Sequence, residues 1–305
     1  MAIFVTGAAG FIGRNAVPLL LREKHAVVAL QHREQVLPVC DKNLTIVHGS
    51  LNTLDAGVVA SLRECDTILH LAGGTTPASS ADAPLLELEE NLLPTLKLLE
   101  AARQSRIRRV VFLSSGGTVY GPPTCIPIDE SHPTHPTSPY GVGKLATEHF
   151  FRLWAARNGA DCRILRVSNL YGPFQHPHGN QGVIGAWLRC AIGKLPLVIW
   201  GDGSVIRDYI FVRDAASAIL AACIDENIPS GTYNIGSGTG LTLLEIAAEI
   251  GRATGLTPRI EFNPARSYDV PVNILSHERF TRACGWTPAV ILREGMRLTL
   301  DWMNP

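Results

Sequence analysis

The sequence lacks a net charge, because its 27 lysines and arginines balance 27 aspartates and glutamates. A chain without an excess of basic residues has no broad positive field for nucleic acid or for a membrane surface. It also lacks an apolar run long enough to span a bilayer, and its first residues have the pattern of a strand rather than of a signal peptide. We therefore expect a cytoplasmic protein with no nucleic-acid partner and no membrane attachment.

Metal-ligand patterns are missing as well. The seven cysteines are scattered and odd in number, and the ten histidines include no His-Glu-x-x-His arrangement. Free thiols in a reducing compartment account for such cysteines better than disulfides do. The sequence therefore predicts no metal site.

The first pattern that is present is a glycine-rich turn near the N-terminus. An apolar run at residues 3–5 leads into Gly7-Ala8-Ala9-Gly10-Phe11-Ile12-Gly13, and an apolar helical segment and a second apolar run follow. The first glycine allows a tight turn, the second lets the backbone approach a phosphate, and the third lets the helix pack against the strand. In this βαβ setting the turn predicts a site for a dinucleotide pyrophosphate.

A tyrosine and a lysine stand four residues apart in Tyr140-Gly141-Val142-Gly143-Lys144, within a helical pattern that Ser138 and Pro139 begin. A tyrosine normally ionises at about pH 10, so its anion is scarce at about pH 7. A cation one helical turn away lies on the same face and lowers that pKa. The pair therefore predicts a tyrosine that acts as a base near neutral pH, in hydride chemistry at a carbinol carbon.

Strand-like and helix-like segments alternate through the first two thirds of the chain. Strands are predicted at 3–5, 26–30, 44–47, 67–71, 110–113 and 163–167, and helices at 11–21, 54–62, 85–102, 140–157 and 183–192. Such alternation is typical of an α/β fold, a Rossmann-type doubly wound parallel sheet. We expect residues 1–170 to form this dinucleotide-binding domain and residues 171–305 mainly a smaller α/β substrate-binding cap, with segments near 197–235 partly returning to the sheet.

Together these patterns resemble the extended short-chain dehydrogenase/reductase family, in its NAD-dependent epimerase/dehydratase branch typified by the UDP-glucose 4-epimerases. The resemblance covers nearly the whole chain. Besides the two motifs above it rests on His70-Leu71-Ala72-Gly73, Asn91, Ser114-Ser115, Thr118-Val119-Tyr120-Gly121, Arg166–Pro173, Trp200–Gly203, Arg207–Val212 and Asn234-Ile235-Gly236.

The resemblance implies a role for each matching residue. Tyr140 is the expected general acid or base at the sugar O4, and Lys144 is expected to hold the nicotinamide ribose. Residues expected on the nucleotide-sugar side are Asn169, Arg207 and Arg266 for the diphosphate and Asp269 for a ribose hydroxyl. Residues expected on the cofactor side are Gly7, Gly10, Phe11, Ile12, Gly13, Gln31, Arg33, Ser50, Leu51, Leu71, Ala72, Gly73, Asn91 and Ser114, with Tyr140 and Lys144.

The chain departs from the family pattern in the catalytic loop. Gly116 stands where the family usually carries a second hydroxyl, so Thr118 or Ser115 must supply the hydrogen bond to the sugar, or nothing does. Gly117-Thr118 replaces the Asp-Glu pair of the 4,6-dehydratases, which leaves no evident agent for water elimination. We therefore set a dehydratase aside.

A second departure lies at the cofactor. An NAD enzyme places an acid at the end of the second strand for the ribose 2′-hydroxyl. Here the residues are Gln31-His32-Arg33, and Ser50 stands where an adenine-binding aspartate is usual. NAD is the expected cofactor, and NADP remains admissible.

Three functions remain open from the sequence. The leading hypothesis is a nucleotide-sugar 4-epimerase that works through a transient 4-keto sugar and bound NAD. The alternative is an NAD(P)H-dependent reductase of a nucleotide-linked 4-keto-deoxysugar, since the same tyrosine and lysine serve both reactions. A non-catalytic dinucleotide-binding protein is the third reading, and the intact Tyr140 and Lys144 argue against it.

The expected partners are a nucleotide-diphosphate sugar and a second copy of the chain. Helices 85–102 and 140–157 carry wide apolar faces, with Leu88, Leu92, Leu96 and Leu99 on the first, and in the resembling family these helices pair in a homodimer. Asn273, four residues past Asp269, stands where an aromatic side chain limits room at C2 of the sugar in enzymes restricted to glucose and galactose. We therefore expect tolerance of an N-acetyl group there.

Overall fold

The computed structural model describes residues 1–32, 34–175, 182–265 and 270–304. Its strands are β1 (Ala2–Thr6), β2 (Ala26–Gln31), β3 (Leu44–His48), β4 (Thr67–His70), β5 (Arg109–Ser115), β6 (Asp161–Val167), β7 (Asn169–Tyr171), β8 (Leu197–Trp200), β9 (Ile206–Phe211), β10 (Gly231–Ile235), β11 (Gly240–Thr242), β12 (Ile260–Asn263) and β13 (Val272–Asn273).

The helices alternate with these strands. They are α1 (Phe11–Arg22), α2 (Ala56–Arg63), α3 (Pro77–Asp82), α4 (Pro84–Glu87), α5 (Leu93–Ala101), α6 (Pro139–Asn158), α7 (Val183–Ile192), α8 (Val212–Ile224), α9 (Leu243–Thr254), α10 (Glu278–Cys284) and α11 (Leu292–Met303). A wide π turn (Leu88–Leu92) joins α4 to α5, and a short 3₁₀ turn (Ala102–Gln104) follows α5.

Seven strands form one parallel sheet in the order β10-β6-β5-β4-β1-β2-β3. Because side chains alternate along a strand, Ile3 and Val5 pack toward α1 and α8, whereas Phe4 packs toward α2, α5 and α6. The strand order reverses between β1 and β4, and a crevice opens there at the carboxyl ends of the strands. The predicted Rossmann-type doubly wound sheet is confirmed.

The rest of the chain builds a smaller unit beside that crevice. Strands β11, β9 and β13 form a second sheet with β7 paired to β9, and β12 pairs with β8. Helices α7, α9 and α11 pack over β8 and β9 in a separate hydrophobic cluster. Strand β10, within residues 197–235, pairs with β6 in the large sheet.

Several short elements were not predicted. Strands β7, β11, β12 and β13 and helix α3 are two to six residues long, too short for a hydrophobic period to show. Residues 176–181, between β7 and α7, lie outside the described part of the chain.

The predicted helix at 85–102 lies within an unbroken helical run from Pro84 to Gln104, but a π turn inside that run was not predicted. Pro94 has no amide hydrogen to donate to the carbonyl of Glu90, and its ring crowds that carbonyl. The chain accommodates this with the wide π turn Leu88–Leu92 between α4 and α5. Among the described residues, no helix is both long and apolar enough to cross a bilayer.

Candidate active site

One large cavity of about 1080 Å³ lies at the carboxyl edge of the sheet. Its walls come from the turns after β1, β2, β4 and β5, from the start of α6, and from α7, β8 and β9 of the smaller unit. Pockets for a single small ligand usually measure about 300–1000 Å³. The cavity therefore has room for a dinucleotide together with a second ligand.

The glycine-rich turn forms one end of this cavity. Gly7 has a φ of 70°, which only glycine adopts without strain, and its carbonyl accepts a hydrogen bond from the amide of Gly10 at 3.0 Å. Gly7, Gly10, Phe11, Ile12 and Gly13 all line the cavity, where the N-terminus of α1 offers unpaired amides to an anion. The turn is built as a phosphate site requires.

The end of β2 forms the adjoining wall. Gln31 lines the cavity at only 6% exposure, and its carbonyl oxygen Oε1 is buried with no hydrogen-bond partner among the described residues. A ribose hydroxyl would supply the missing donor. Ser50 and Leu51 also line this wall, whereas Arg33 lies outside the described residues.

The loop after β4 contributes Leu71, Ala72 and Gly73 to the lining. Asn91, predicted to bind the cofactor, does not line the cavity. Its Oδ1 accepts a hydrogen bond from the amide of Gly74 at 2.8 Å, and its Nδ2 donates to Thr75 at 2.6 Å. The side chain of Asn91 therefore holds the loop instead of facing the ligand.

Helix α6 presents the tyrosine and the lysine to the cavity. Ser138 caps the helix by accepting a hydrogen bond from the amide of Gly141 at 3.2 Å, with Pro139 in the first turn, as predicted. The Nζ of Lys144 lies 5.6 Å from the centre of the Tyr140 ring and donates to the carbonyl of Leu113 at 3.3 Å. Both side chains line the cavity.

The predicted lowering of the Tyr140 pKa is wrong for the protein alone. Burial raises the pKa of Tyr140 well above its usual value, and the carboxylate of Glu87 raises it further. Burial lowers the pKa of Lys144 to about 8, although Glu87 and Glu148 act in the opposite direction. Spacing places the lysine beside the ring, but burial and Glu87 determine the direction of the Tyr140 pKa shift.

Hydroxyl groups surround the pair at the end of β5. The Oγ of Ser114 donates to Glu148 at 2.6 Å, so this hydroxyl already has a partner within the protein. Ser115 and Thr118 line the cavity, and the Oγ1 of Thr118 is buried without a hydrogen-bond partner among the described residues. Thr118 thus has an unused hydroxyl beside Tyr140 in the same cavity.

The second half of the cavity holds two of the residues predicted for the nucleotide sugar. Asn169 on β7 and Arg207 on β9 both line it. The Nδ2 of Asn169 donates to the carbonyl of Asp208 at 2.9 Å, and Arg207 donates to the carbonyls of Ile206 and Val270. Arg266 and Asp269 lie outside the described residues.

A comparison with protein-family models decides the family. The model of the NAD dependent epimerase/dehydratase family matches residues 3–236. The chain belongs to this family.

Known epimerases resemble this family member over its full length. The UDP-glucose 4-epimerase of Mycolicibacterium smegmatis is 35% identical over 313 residues, which cover 100% of this chain and 99% of that protein. The crystal structure of Thermotoga maritima UDP-glucose 4-epimerase with UDP-glucose has a TM-score of 0.92 at 31% identity, covering 99% and 98% of the two chains. That of the Thermus thermophilus enzyme with NAD has a TM-score of 0.90 at 34% identity, with the same coverage.

Asn273 does not face the space where the sequence predicted the sugar to bind. It is 1% exposed, does not line the cavity, and donates from Nδ2 to the carbonyl of Gly116 at 3.0 Å. A side chain on Gly116 would collide with Leu275, so the loop at Gly116 packs directly against that leucine. The prediction that Asn273 controls room at the sugar therefore loses its basis.

Two features of the site were missed by sequence reasoning. Thr75 and the start of α3 line the cavity, and the Oγ of Ser80 in α3 accepts a hydrogen bond from the amide of Tyr140 at 3.1 Å. Glu87 is 2% exposed and packs against α6 at Gly143, a contact that no sequence pattern indicated.

The structure also bears on the metal and the thiols. In the described part of the chain, no group of three or more histidine, cysteine, aspartate or glutamate side chains is placed to hold a metal ion. All seven cysteines are unpaired, and burial raises the pKa of Cys65, Cys162 and Cys223 to about 12. These buried thiols are unreactive at neutral pH.

Proposed function

We propose that the chain is a nucleotide-sugar 4-epimerase that works through a transient 4-keto sugar with NAD bound. The observation that carries the proposal is that Tyr140 and Lys144 face the same cavity as the phosphate turn after β1 and the polar residues Asn169 and Arg207. A tyrosine between a dinucleotide site and a diphosphate site is placed to exchange a proton with a sugar hydroxyl.

The residues present fit a dinucleotide. The turn at Gly7 and the buried Oε1 of Gln31 offer a phosphate site and a ribose acceptor on adjoining walls of the cavity. Lys144 is placed to hold the second ribose. When bound, NAD would take hydrogen from the carbinol carbon and return it to the other face.

Proton transfer is the work of the chain's own residues. Tyr140 takes the proton of the sugar O4 and later returns it. Lys144 supplies positive charge beside the ring, and Thr118 offers its unpartnered hydroxyl to the sugar. The diphosphate is held by the guanidinium of Arg207, with Arg266 as a proposed second contact and Asp269 proposed at the nucleotide ribose.

A reductase of nucleotide-linked 4-keto-deoxysugars is the second candidate. It is favoured by Gln31, because an amide at the end of β2 does not repel the 2′-phosphate of NADP as a carboxylate would. Such an enzyme would release its cofactor after each turnover. The epimerase relatives described above favour NAD and the first candidate.

The test is mass spectrometry of the cofactor released from the purified protein, together with turnover of UDP-glucose. We expect tightly held NAD and interconversion of UDP-glucose and UDP-galactose without net consumption of cofactor. An NADPH-loaded or empty protein that reduces a 4-keto sugar would establish the reductase. A loaded protein that turns over no nucleotide sugar would favour the non-catalytic reading.

We further propose how the molecule is organised. Residues 1–170 bind the dinucleotide and residues 171–305 mainly bind the nucleotide sugar, with β10 returning to the large sheet. A homodimer is supported by exposed apolar side chains on α4, the π turn, α5 and α6, and seven unpaired cysteines support a cytoplasmic location.

A further inference from the structure

Glu87 is a buried carboxylate beside the catalytic helix. Its Oε2 accepts hydrogen bonds from the hydroxyl of Thr75 and from the Nδ2 of Asn91, the latter at 2.9 Å. Its Oε1 is buried and has no hydrogen-bond partner in the described part of the chain. Burial raises the pKa of this carboxyl, because the charged form is costly away from water, and a nearby cation reduces that cost.

The carboxylate lies against the backbone of α6 at Gly143, between the two proposed catalytic residues in sequence and next to Lys144. A Cβ atom on Gly143 would overlap Oε1, Cγ and Cδ of Glu87. Only glycine fits at this position, one residue before Lys144 and three after Tyr140. The glycine at position 143 of the motif thus leaves the space that the Glu87 carboxylate fills.

Lys144 is the cation that faces Glu87. Burial raises the pKa of the Glu87 carboxyl, and the hydrogen bonds from Thr75 and Asn91 and then the charge of Lys144 lower it. Among the described residues, no carboxylate lies within 4.0 Å of Nζ of Lys144. The interaction therefore acts through space across the backbone of Gly143, without a direct ion pair.

The other titratable groups around Lys144 are already compensated. On α6, Glu148 pairs with Arg166 at 2.8 Å and with Arg152 at 2.9 Å. At the end of β4, burial lowers the pKa of His70 to about 3, so its ring is neutral. Glu87 is therefore a buried negative charge at this site that has no arginine partner among the described residues, whereas Glu90, which also lines the cavity, is exposed to solvent.

We propose that Glu87 is a positioning residue of the Tyr140–Lys144 pair, a buried anion that keeps the Lys144 ammonium charged and sets the pH range in which Tyr140 transfers its proton. The proposal rests on the proposed function for its catalytic consequence, whereas its effect on Lys144 is independent of any substrate.

The direction of the effect follows from the charge. A carboxylate raises the pKa of a neighbouring ammonium and of a neighbouring phenol. Glu87 acts in this direction on both groups, second to burial in each case. Replacing Glu87 by glutamine keeps the shape of the side chain and an oxygen that can accept from Thr75 and Asn91, but it removes the negative charge. The pKa values of Lys144 and Tyr140 must therefore both fall.

The direct test is a titration of Lys144 by NMR in protein labelled with ¹³C at the lysine Cε. The chain has five lysines, and a Lys144→Met variant assigns the signal. The titration compares the NAD-loaded wild type with NAD-loaded Glu87→Gln. We expect the titration midpoint of Lys144 to lie at lower pH in the variant than in the wild type. Glu89→Gln, an exposed acid two residues after Glu87 in the π turn, is the matched control and should leave the midpoint unchanged.

The catalytic consequence is tested by the pH profile of kcat/KM for UDP-glucose. Its rising limb reports ionisation of Tyr140 and its falling limb loss of the Lys144 proton. We expect both limbs of the profile to shift to lower pH in Glu87→Gln. In Glu89→Gln both limbs should stay where they are in the wild type. A merely structural role would reduce activity at every pH without displacing the limbs.

The outcomes separate the two proposals. A Lys144 midpoint that is unchanged in Glu87→Gln, or that moves equally in Glu89→Gln, overturns the role of Glu87. A wild type that turns over no nucleotide sugar overturns the proposed function, while the NMR titration still decides the role of Glu87. If Glu87→Gln does not fold, Glu87→Asp, which withdraws the charge by one methylene, must lower the midpoint, and an unchanged midpoint overturns the inference.

Discussion

At Tyr140, burial and a neighbouring carboxylate act against the ionisation that proton transfer requires. The i, i+4 spacing predicted where Lys144 would lie, and it does lie beside the ring. Spacing could not reveal how deeply both groups are buried, nor that Glu87 adds a negative charge from another helix. A positively charged nicotinamide would act in the opposite sense to Glu87, which couples the basicity of the tyrosine to the cofactor.

The central prediction at this scale concerns the phenol. Tyr140→Phe should lower turnover of UDP-glucose by about a hundredfold or more, a typical loss for a general acid–base group, with the fold and the bound cofactor retained. Tyr233→Phe is a suitable control, because that hydroxyl donates to the carbonyl of Pro229 away from the cavity. Turnover of Tyr140→Phe near that of the control would refute the assignment of the base.

For Asn273 we predict an effect on stability and none on substrate preference. Asn273→Ala leaves the carbonyl of Gly116 without its donor, which should lower the free energy of unfolding by about 1–3 kcal/mol in a urea titration. The ratio of turnover between UDP-glucose and UDP-N-acetylglucosamine should stay as in the wild type, since Asn273 does not line the cavity. A changed ratio would restore Asn273 as a gate at the sugar.

At the scale of elements, the long strands and helices follow from the sequence because their apolar periods are regular. The segment from α4 to α5 does not, because the π turn changes the phase of its apolar residues. Leu88 is 44% exposed, whereas Leu99, predicted on the same face, is 4% exposed in the core. Glu87, directly before this turn, is buried against α6, which the apolar pattern of the segment did not indicate.

The N-cap of α6 is a second element-scale prediction. Ser138→Ala should lower the free energy of unfolding by about 1 kcal/mol and should also reduce turnover, because the first turn of α6 carries Tyr140. Asp55→Ala removes the cap of α2, where the side chain accepts from the amide of Val58 at 2.9 Å, and should cost similar stability with normal turnover.

Ser138→Thr supplies the rescue for this test. Threonine retains a capping hydroxyl, so both stability and turnover should return toward the wild type. Equal turnover in Ser138→Ala and Asp55→Ala would show that the cap has no influence on Tyr140. Circular dichroism in urea and initial rates with UDP-glucose provide the two measurements.

For the molecule as a whole, the order of motifs along the chain predicts the fold and the family, and both are confirmed. Most predicted cofactor and catalytic residues line one cavity, because parallel strands bring their carboxyl ends to one edge. Asn91 and Asn273 were assigned by motif position alone, and a motif does not say whether a side chain faces the ligand or the loop behind it. The structure places both behind the cavity wall.

The surface of the molecule supports a final prediction, a homodimer. Helices α4, α5 and α6 pack together and leave apolar side chains exposed, with Leu85 at 68%, Val142 at 54% and Leu153 at 56%. An exposed apolar patch of this kind marks a contact surface, and a stable dimer buries about 800 Å² on each partner. We expect light scattering at micromolar concentration to give twice the chain mass.

Leu153→Asp should shift the protein to monomer. Leu195→Asp, which changes a similarly exposed leucine (59%) outside this patch, should not. A monomeric wild type, or dissociation by both variants alike, would contradict this interface.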